Sequence, residues 1–123
     1  MKHTPILLVD DEEKFVDMLA KRLELRGVIS EVAYDGESAI GLMKKNSHPL
    51  VVLDLRLPDF SGTDILRQIK KNHPKAFVIM LTGHGSETDR AVCIQMGASE
   101  FLNKPVKIDE LTRLIKKVLE NCI

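Results

Sequence analysis

The chain has 123 residues, 44% of them hydrophobic, enough for one core of ordinary size and too few for a second domain, so residues 1–123 are read as one domain. Eighteen basic and eighteen acidic residues cancel to a formal net charge of +0, which excludes the basic footprint of a direct nucleic-acid binder. The apolar stretches are too short to span a bilayer and Met1-Lys2-His3-Thr4-Pro5 lacks a signal peptide's apolar region, so a cytoplasmic protein without membrane contact is expected.

The first element is the continuous apolar run Ile6-Leu7-Leu8-Val9, followed at once by Asp10-Asp11. Phe15, Met18, Leu19 and Leu23 then recur at helical spacing until Gly27. Ile29 to Tyr34, with Ser30 and Glu31 inside it, reads as an edge strand. Asp35-Gly36 is a turn that opens a second helix with the stripe Ala39, Leu42 and Met43. The run Leu50-Val51-Val52-Leu53 ends in Asp54, and Ile65, Leu66 and Ile69 mark a third helix. Residues 77 to 81 form another apolar run, ending in Thr82, after which Ser86 and Asp89 have the spacing of a capping box. The short segment Glu100 to Asn103 delivers Lys104-Pro105. A last helix carries Ile108, Leu111, Leu114, Ile115, Val118 and Leu119.

Strands that are apolar throughout, rather than alternating, are covered on both faces, and strand–helix alternation builds parallel sheets. A three-layer α/β sandwich of five parallel strands and five helices is expected. In such a sheet every strand's carboxyl end lies on one edge, where open α/β folds place their ligands. Asp10, Asp11, Asp54, Thr82 and Lys104 would all arrive there.

Three like charges in one cleft repel, and a hard divalent cation with oxygen ligands relieves them. Magnesium suits few carboxylates and retained waters that a phosphate group can replace. Lys104 adds a mobile positive charge and Thr82 a hydroxyl donor, which together meet the needs of a phosphoryl group in transfer. Asp54 stands alone at its strand end and is the candidate nucleophile, whereas Asp10-Asp11 is a pair suited to holding metal. Cys93 and Cys122 have no partner at metal or redox spacing, so Cys93 is read as a small core residue. His3, His48 and His73 are read as surface residues. Glu12, Asp35 and Asp59 are read as solvated turn carboxylates. His84, two residues after Thr82, and Arg56, two after Asp54, could overhang the phosphoryl site and tune its lifetime.

The chain resembles the receiver domains of two-component response regulators. The resemblance covers the whole length through Val9-Asp10-Asp11-Glu12, Asp54-Leu55-Arg56-Leu57-Pro58-Asp59-Phe60-Ser61-Gly62, Leu81-Thr82-Gly83-His84-Gly85 and Gly97-Ala98-Ser99-Glu100-Phe101-Leu102-Asn103-Lys104-Pro105, with Val106 to Leu111 continuing in the family's manner. It implies a flavodoxin-like strand order 2-1-3-4-5, the order of the chemotaxis response regulator. It further implies that Asp54 accepts a phosphoryl group from a sensor histidine kinase or phosphotransfer protein. Asp11, Asp54 and the Arg56 carbonyl would bind magnesium, with Asp10 acting through water. Lys104 and Thr82 would hold phosphoryl oxygens, Pro105 would follow a cis peptide bond, and Thr82 with Phe101 would form the switch. The partner would be a downstream effector protein or a fused output domain, reached through the surface of the fourth helix, fifth strand and fifth helix. Phosphorylation-dependent dimerisation is left open.

Two other function classes compete. A phosphate-independent interaction module of the same fold would ordinarily have lost an acidic, hydroxyl or lysine group, and none is missing. An aspartate-nucleophile phosphatase wants D-x-D on the first strand, and a nucleotide or flavin site wants a glycine-rich or hydroxyl-rich loop there; this chain has Asp10-Asp11-Glu12. The chain is therefore not expected to be an enzyme beyond catalysing its own phosphorylation and dephosphorylation.

Overall fold

The computed structural model describes residues 4–120, so His3 and Cys122 lie outside the described residues. Strands and helices alternate as β1 (Ile6–Val9), α1 (Glu13–Leu25), β2 (Ser30–Ala33), α2 (Gly36–Lys45), β3 (Leu50–Leu53), α3 (Gly62–Asn72), β4 (Phe77–Thr82), α4 (Glu87–Gln95), β5 (Glu100–Asn103) and α5 (Ile108–Glu120). All neighbouring strands pair in parallel, in the order β2-β1-β3-β4-β5. This is the flavodoxin-like sandwich the sequence led us to expect. Among the described residues no helix is long and apolar enough to cross a membrane.

Successive strand side chains point to opposite faces, and the core divides accordingly. Leu7, Val9, Val51, Leu53, Val78, Met80 and Phe101 face Ala39, Met43, Ile65, Leu66, Ile69 and Cys93 of α2, α3 and α4. Ile6, Leu8, Leu50, Val52, Ile79 and Leu81 face Val16, Leu19, Leu23, Leu111 and Ile115 of α1 and α5. The helix starts are fixed locally. Asp35 accepts from Ser38 N, and Ser61 from Asp64 N. Ser86 and Asp89 form the expected reciprocal capping box, each accepting at 3.1 Å from the other's backbone N–H.

Several side chains depart from the sequence reading. Met18 is 43% exposed while Val16 is buried, because the inner face of α1 runs Val16, Leu19, Leu23 and leaves position 18 on its flank. Asp59 is exposed yet engaged: its carboxylate accepts from Gly36 N at 2.8 Å and Glu37 N at 3.0 Å, two donors that the start of a helix leaves without intrahelical partners. The bond from Gly36 N holds its carboxyl below the usual range. Asp35, likewise read as solvated, is the α2 cap.

His48 is the largest correction, since its side chain is fully buried rather than on the surface. Its Nε2 donates to Glu31 Oε1 at 2.6 Å, and Asn46 Nδ2 donates to the same oxygen at 3.0 Å. A charged side chain in an edge strand thereby acquires partners from the α2–β3 connection. The His48 bond, more than that of Asn46, holds the Glu31 carboxyl below its ordinary value.

His48→Ala is expected to cost about 1–3 kcal/mol in urea unfolding, the scale of losing a buried side chain together with its hydrogen bond. Because Glu31's folded pKa is lowered, the pair's contribution is present above the ordinary carboxylate pKa and fades as pH falls through the lowered value. The difference between parent and variant should therefore shrink in acid, and a difference that grows there would contradict this assignment.

Candidate functional site

Backbone hydrogen bonds continue the sheet one residue beyond three strands. Asp10 N donates to Ala33 O at 3.1 Å, Asp54 N to Val9 O at 3.0 Å and Lys104 N to Thr82 O at 2.9 Å. Extending the two-residue alternation past Leu8, Val52 and Leu102 sends Asp10, Asp54 and Lys104 to the α1 side of the sheet. Thr82 has the parity of Val78 and Met80 and falls on the other side, with Phe101. Sheet geometry thus separates an ionic group from a hydroxyl–aromatic group along one edge.

The ionic group is compact. Asp10 and Asp54 are each 4% exposed. The Lys104 ammonium donates to Asp10 Oδ2 at 2.8 Å and Glu12 Oε1 at 2.6 Å, and lies 3.9 Å from Asp54 Oδ2. It also sits 4.3 Å from the centre of the Phe15 ring, a cation–π distance. Glu12 N donates to Asp10 Oδ1 at 2.9 Å, so both Asp10 oxygens are engaged.

Burial raises the Asp10 carboxyl pKa, and its bonds to Lys104 and Glu12 N do not fully offset that; the nearby Asp54 charge adds to the rise. Burial by itself would depress the Lys104 ammonium, but bonds to Asp10 and Glu12 and the charges of Asp10 and Asp54 outweigh it and hold the pKa above the lysine norm. Lys104 in turn holds Glu12 below the usual carboxylate range, first by hydrogen bond and then by charge.

Asp54 Oδ1 is buried without a hydrogen-bond partner. One carboxylate oxygen from each of Asp10, Glu12 and Asp54 lies within 4.8 Å of the others. The unpartnered Asp54 oxygen beside the Asp10 carboxylate fits a hard divalent cation such as magnesium, whereas the Glu12 oxygen is taken by Lys104 and adds negative charge at the rim.

The membership of the group differs from the sequence expectation. Asp11 is exposed and outside it, while Glu12, read as a solvated turn carboxylate, is inside. Arg56 and His84 have exposed side chains flanking the edge, the first in an isolated bridge to Ser61. Thr82 is fully buried and its Oγ1 accepts from His84 N at 3.2 Å. Phe101 is already inside, 1% exposed in the α4-side core. Gly85 lies so close that a Cβ there would come within 2.5 Å of the Phe101 ring carbons. The Lys104–Pro105 peptide is cis, as the resemblance implies. Gly62 is obligatory on steric grounds, since a Cβ would collide with the Asp54 carbonyl oxygen and the Leu55 backbone. Glu12 and Phe15 were missed as site residues. Their only sequence signal was proximity to Asp10, one as a turn residue and the other within a core stripe.

Comparison with known proteins agrees with this geometry. A family model described as the response regulator receiver domain matches residues 6–116. The transcriptional regulatory protein CpxR of Escherichia coli (strain K12) is 40% identical over 114 residues, which are 93% of this chain and 48% of that protein. The sensory transduction protein RegX3 of Mycolicibacterium smegmatis is 38% identical over 116 residues, 94% of this chain and 50% of that protein. The chain thus spans about half the length of these relatives. A CheY-like response regulator receiver domain from Methanospirillum hungatei superposes with a TM-score of 0.94 at 29% identity, covering 98% of this chain and 97% of that one.

Without metal, Asp54→Asn removes the charge that repels Asp10 and loses only a 3.9 Å contact to Lys104. We expect the variant to unfold at a higher temperature than the parent in metal-free thermal unfolding, because one of two adjacent buried like charges is gone. A less stable variant would mean that attraction to Lys104 governs Asp54 instead.

Proposed function

The chain belongs to the response regulator receiver domain family, and on that premise we propose that it is a signalling switch that takes a phosphoryl group onto Asp54. The observation that carries this reading is the buried, unpartnered Asp54 Oδ1 at the carboxyl edge, with Asp10 and the Lys104 ammonium beside it. An Asp54 oxygen attacks phosphorus in line, the bond to the donor's leaving group breaks, and that group departs with the electron pair. Lys104 and the Thr82 hydroxyl take the transferred oxygens, offsetting charge as it develops. Asp11, Asp54 and the Arg56 carbonyl would hold magnesium, with Asp10 through water. When bound, the ion neutralises the carboxylates and orients the phosphoryl oxygens.

Thr82 Oγ1 accepts a bond from His84 N, so drawing the hydroxyl toward a phosphoryl group pulls on the loop from Gly83 to Ser86. That loop packs through Gly85 on Phe101, and Arg90 Nη1 donates to Phe101 O at 2.9 Å, which links the movement to α4. With the ring already inside, loop and helix carry more of the switch than ring entry does. Arg56 and His84 limit the approach of water to the acyl phosphate. We place the domain over residues 1–123 in the cytoplasm, receiving phosphate from a sensor histidine kinase or phosphotransfer protein. It acts on an effector protein or output domain through α4, β5 and α5, without itself touching nucleic acid, and it turns over no outside substrate.

Incubation with magnesium and a small acyl-phosphate donor should add one phosphoryl group to the intact protein's mass in the parent and none in Asp54→Asn. Lys104→Ala should be strongly slowed, and His84→Ala should lose its phosphoryl group at an altered rate. A parent that gains no mass, or an Asp54→Asn variant that still does, would refute the assignment.

A further inference from the structure

Glu12 follows the acidic pair and stands at the N-cap of α1, but its side chain does not cap that helix. Asp35, Ser61 and Ser86 do cap α2, α3 and α4. The Glu12 carboxylate reaches instead to Lys104, and at 2.6 Å it is the nearest of the ammonium's partners, against 2.8 Å for Asp10 and 3.9 Å for Asp54. Phe15, one turn into α1, places its ring 4.3 Å from the same ammonium. Lys104 is thus tied toward the start of α1 and away from the carboxylate proposed to carry phosphate.

We propose that Glu12 is a positioning residue that detains Lys104 in the resting state and releases it to a phosphoryl group on Asp54. This rests on the phosphoacceptor reading above. A phosphoryl group offers charged acceptor oxygens beside Asp54; the ammonium has a third N–H to give, but it lies 3.9 Å from Asp54 Oδ2, and moving onto those oxygens draws it off one of its present acceptors. Asp10 is 4% exposed, so solvent cannot readily take the ammonium's place on its carboxylate. The Glu12 side chain is 62% exposed, so water replaces the lost bond at small cost. Glu12 is therefore the partner that lets go.

The test uses the parent and the neutral, equal-length variant Glu12→Gln, whose exposed position does not threaten folding. In metal-free protein, Lys104→Arg identifies the ammonium resonance in ¹H–¹⁵N spectra, which should be sharp in the parent and broadened by water exchange in Glu12→Gln. Calorimetry with magnesium and beryllofluoride, a phosphoryl mimic, should show about threefold to fivefold tighter binding in Glu12→Gln, the worth of one exposed ion pair. Magnesium alone should bind both proteins equally. Equal or weaker beryllofluoride binding by the variant would overturn the detention of Lys104. A loss of magnesium affinity would overturn it too, by making Glu12 a metal ligand. Failure of the parent itself to bind beryllofluoride would instead refute the phosphoacceptor reading.

Discussion

Burying two carboxylates side by side is costly, and a parallel sheet with Asp10 and Asp54 at neighbouring strand ends makes that unavoidable. Lys104 is the fold's own response, contributed from the far edge strand, 94 residues along the chain from Asp10. One ammonium cannot neutralise Asp10, Glu12 and Asp54 together. The residual negative charge and the bare Asp54 oxygen leave the edge suited to a divalent cation and, once that is bound, to a phosphate ester.

The sheet also divides the labour between its faces. Asp10, Asp54 and Lys104 have the parity of the α1 side, whereas Thr82 and Phe101 have that of the α2–α4 side. Thr82 stands at the border of the two, and its Oγ1 accepts from His84 N in the loop that packs over Phe101. Asp59 extends the connectivity in another direction, because the loop after Asp54 holds the start of α2 through two backbone bonds.

The strands, the helices and the identity of the edge residues were legible because they depend on hydrophobic runs and on what ends them, whereas the strand order came from the family resemblance. Uninterrupted apolar tetrapeptides demand cover on both faces, and the residue that follows each must sit at the rim. Side-chain partners were less legible. Whether Glu12, Asp11 or both join Asp10 depends on the direction in which the chain leaves β1, and no periodicity records that. His48 looked like a surface residue because it precedes a proline, yet it is buried under Glu31, a pairing of residues 17 positions apart. Met18 was misplaced by a single position on its helix, where an apolar residue beside the inner face has the same composition signal as one on it.

The central claim is that the unmet charge of this edge is concentrated at Asp54. Anomalous diffraction from crystals soaked in manganese, a magnesium surrogate with a measurable signal, tests it most directly. A single peak within coordination distance of an Asp54 carboxylate oxygen is the expected result. A metal bound elsewhere, with the Asp54 carboxylate uncoordinated at saturating manganese, would contradict it.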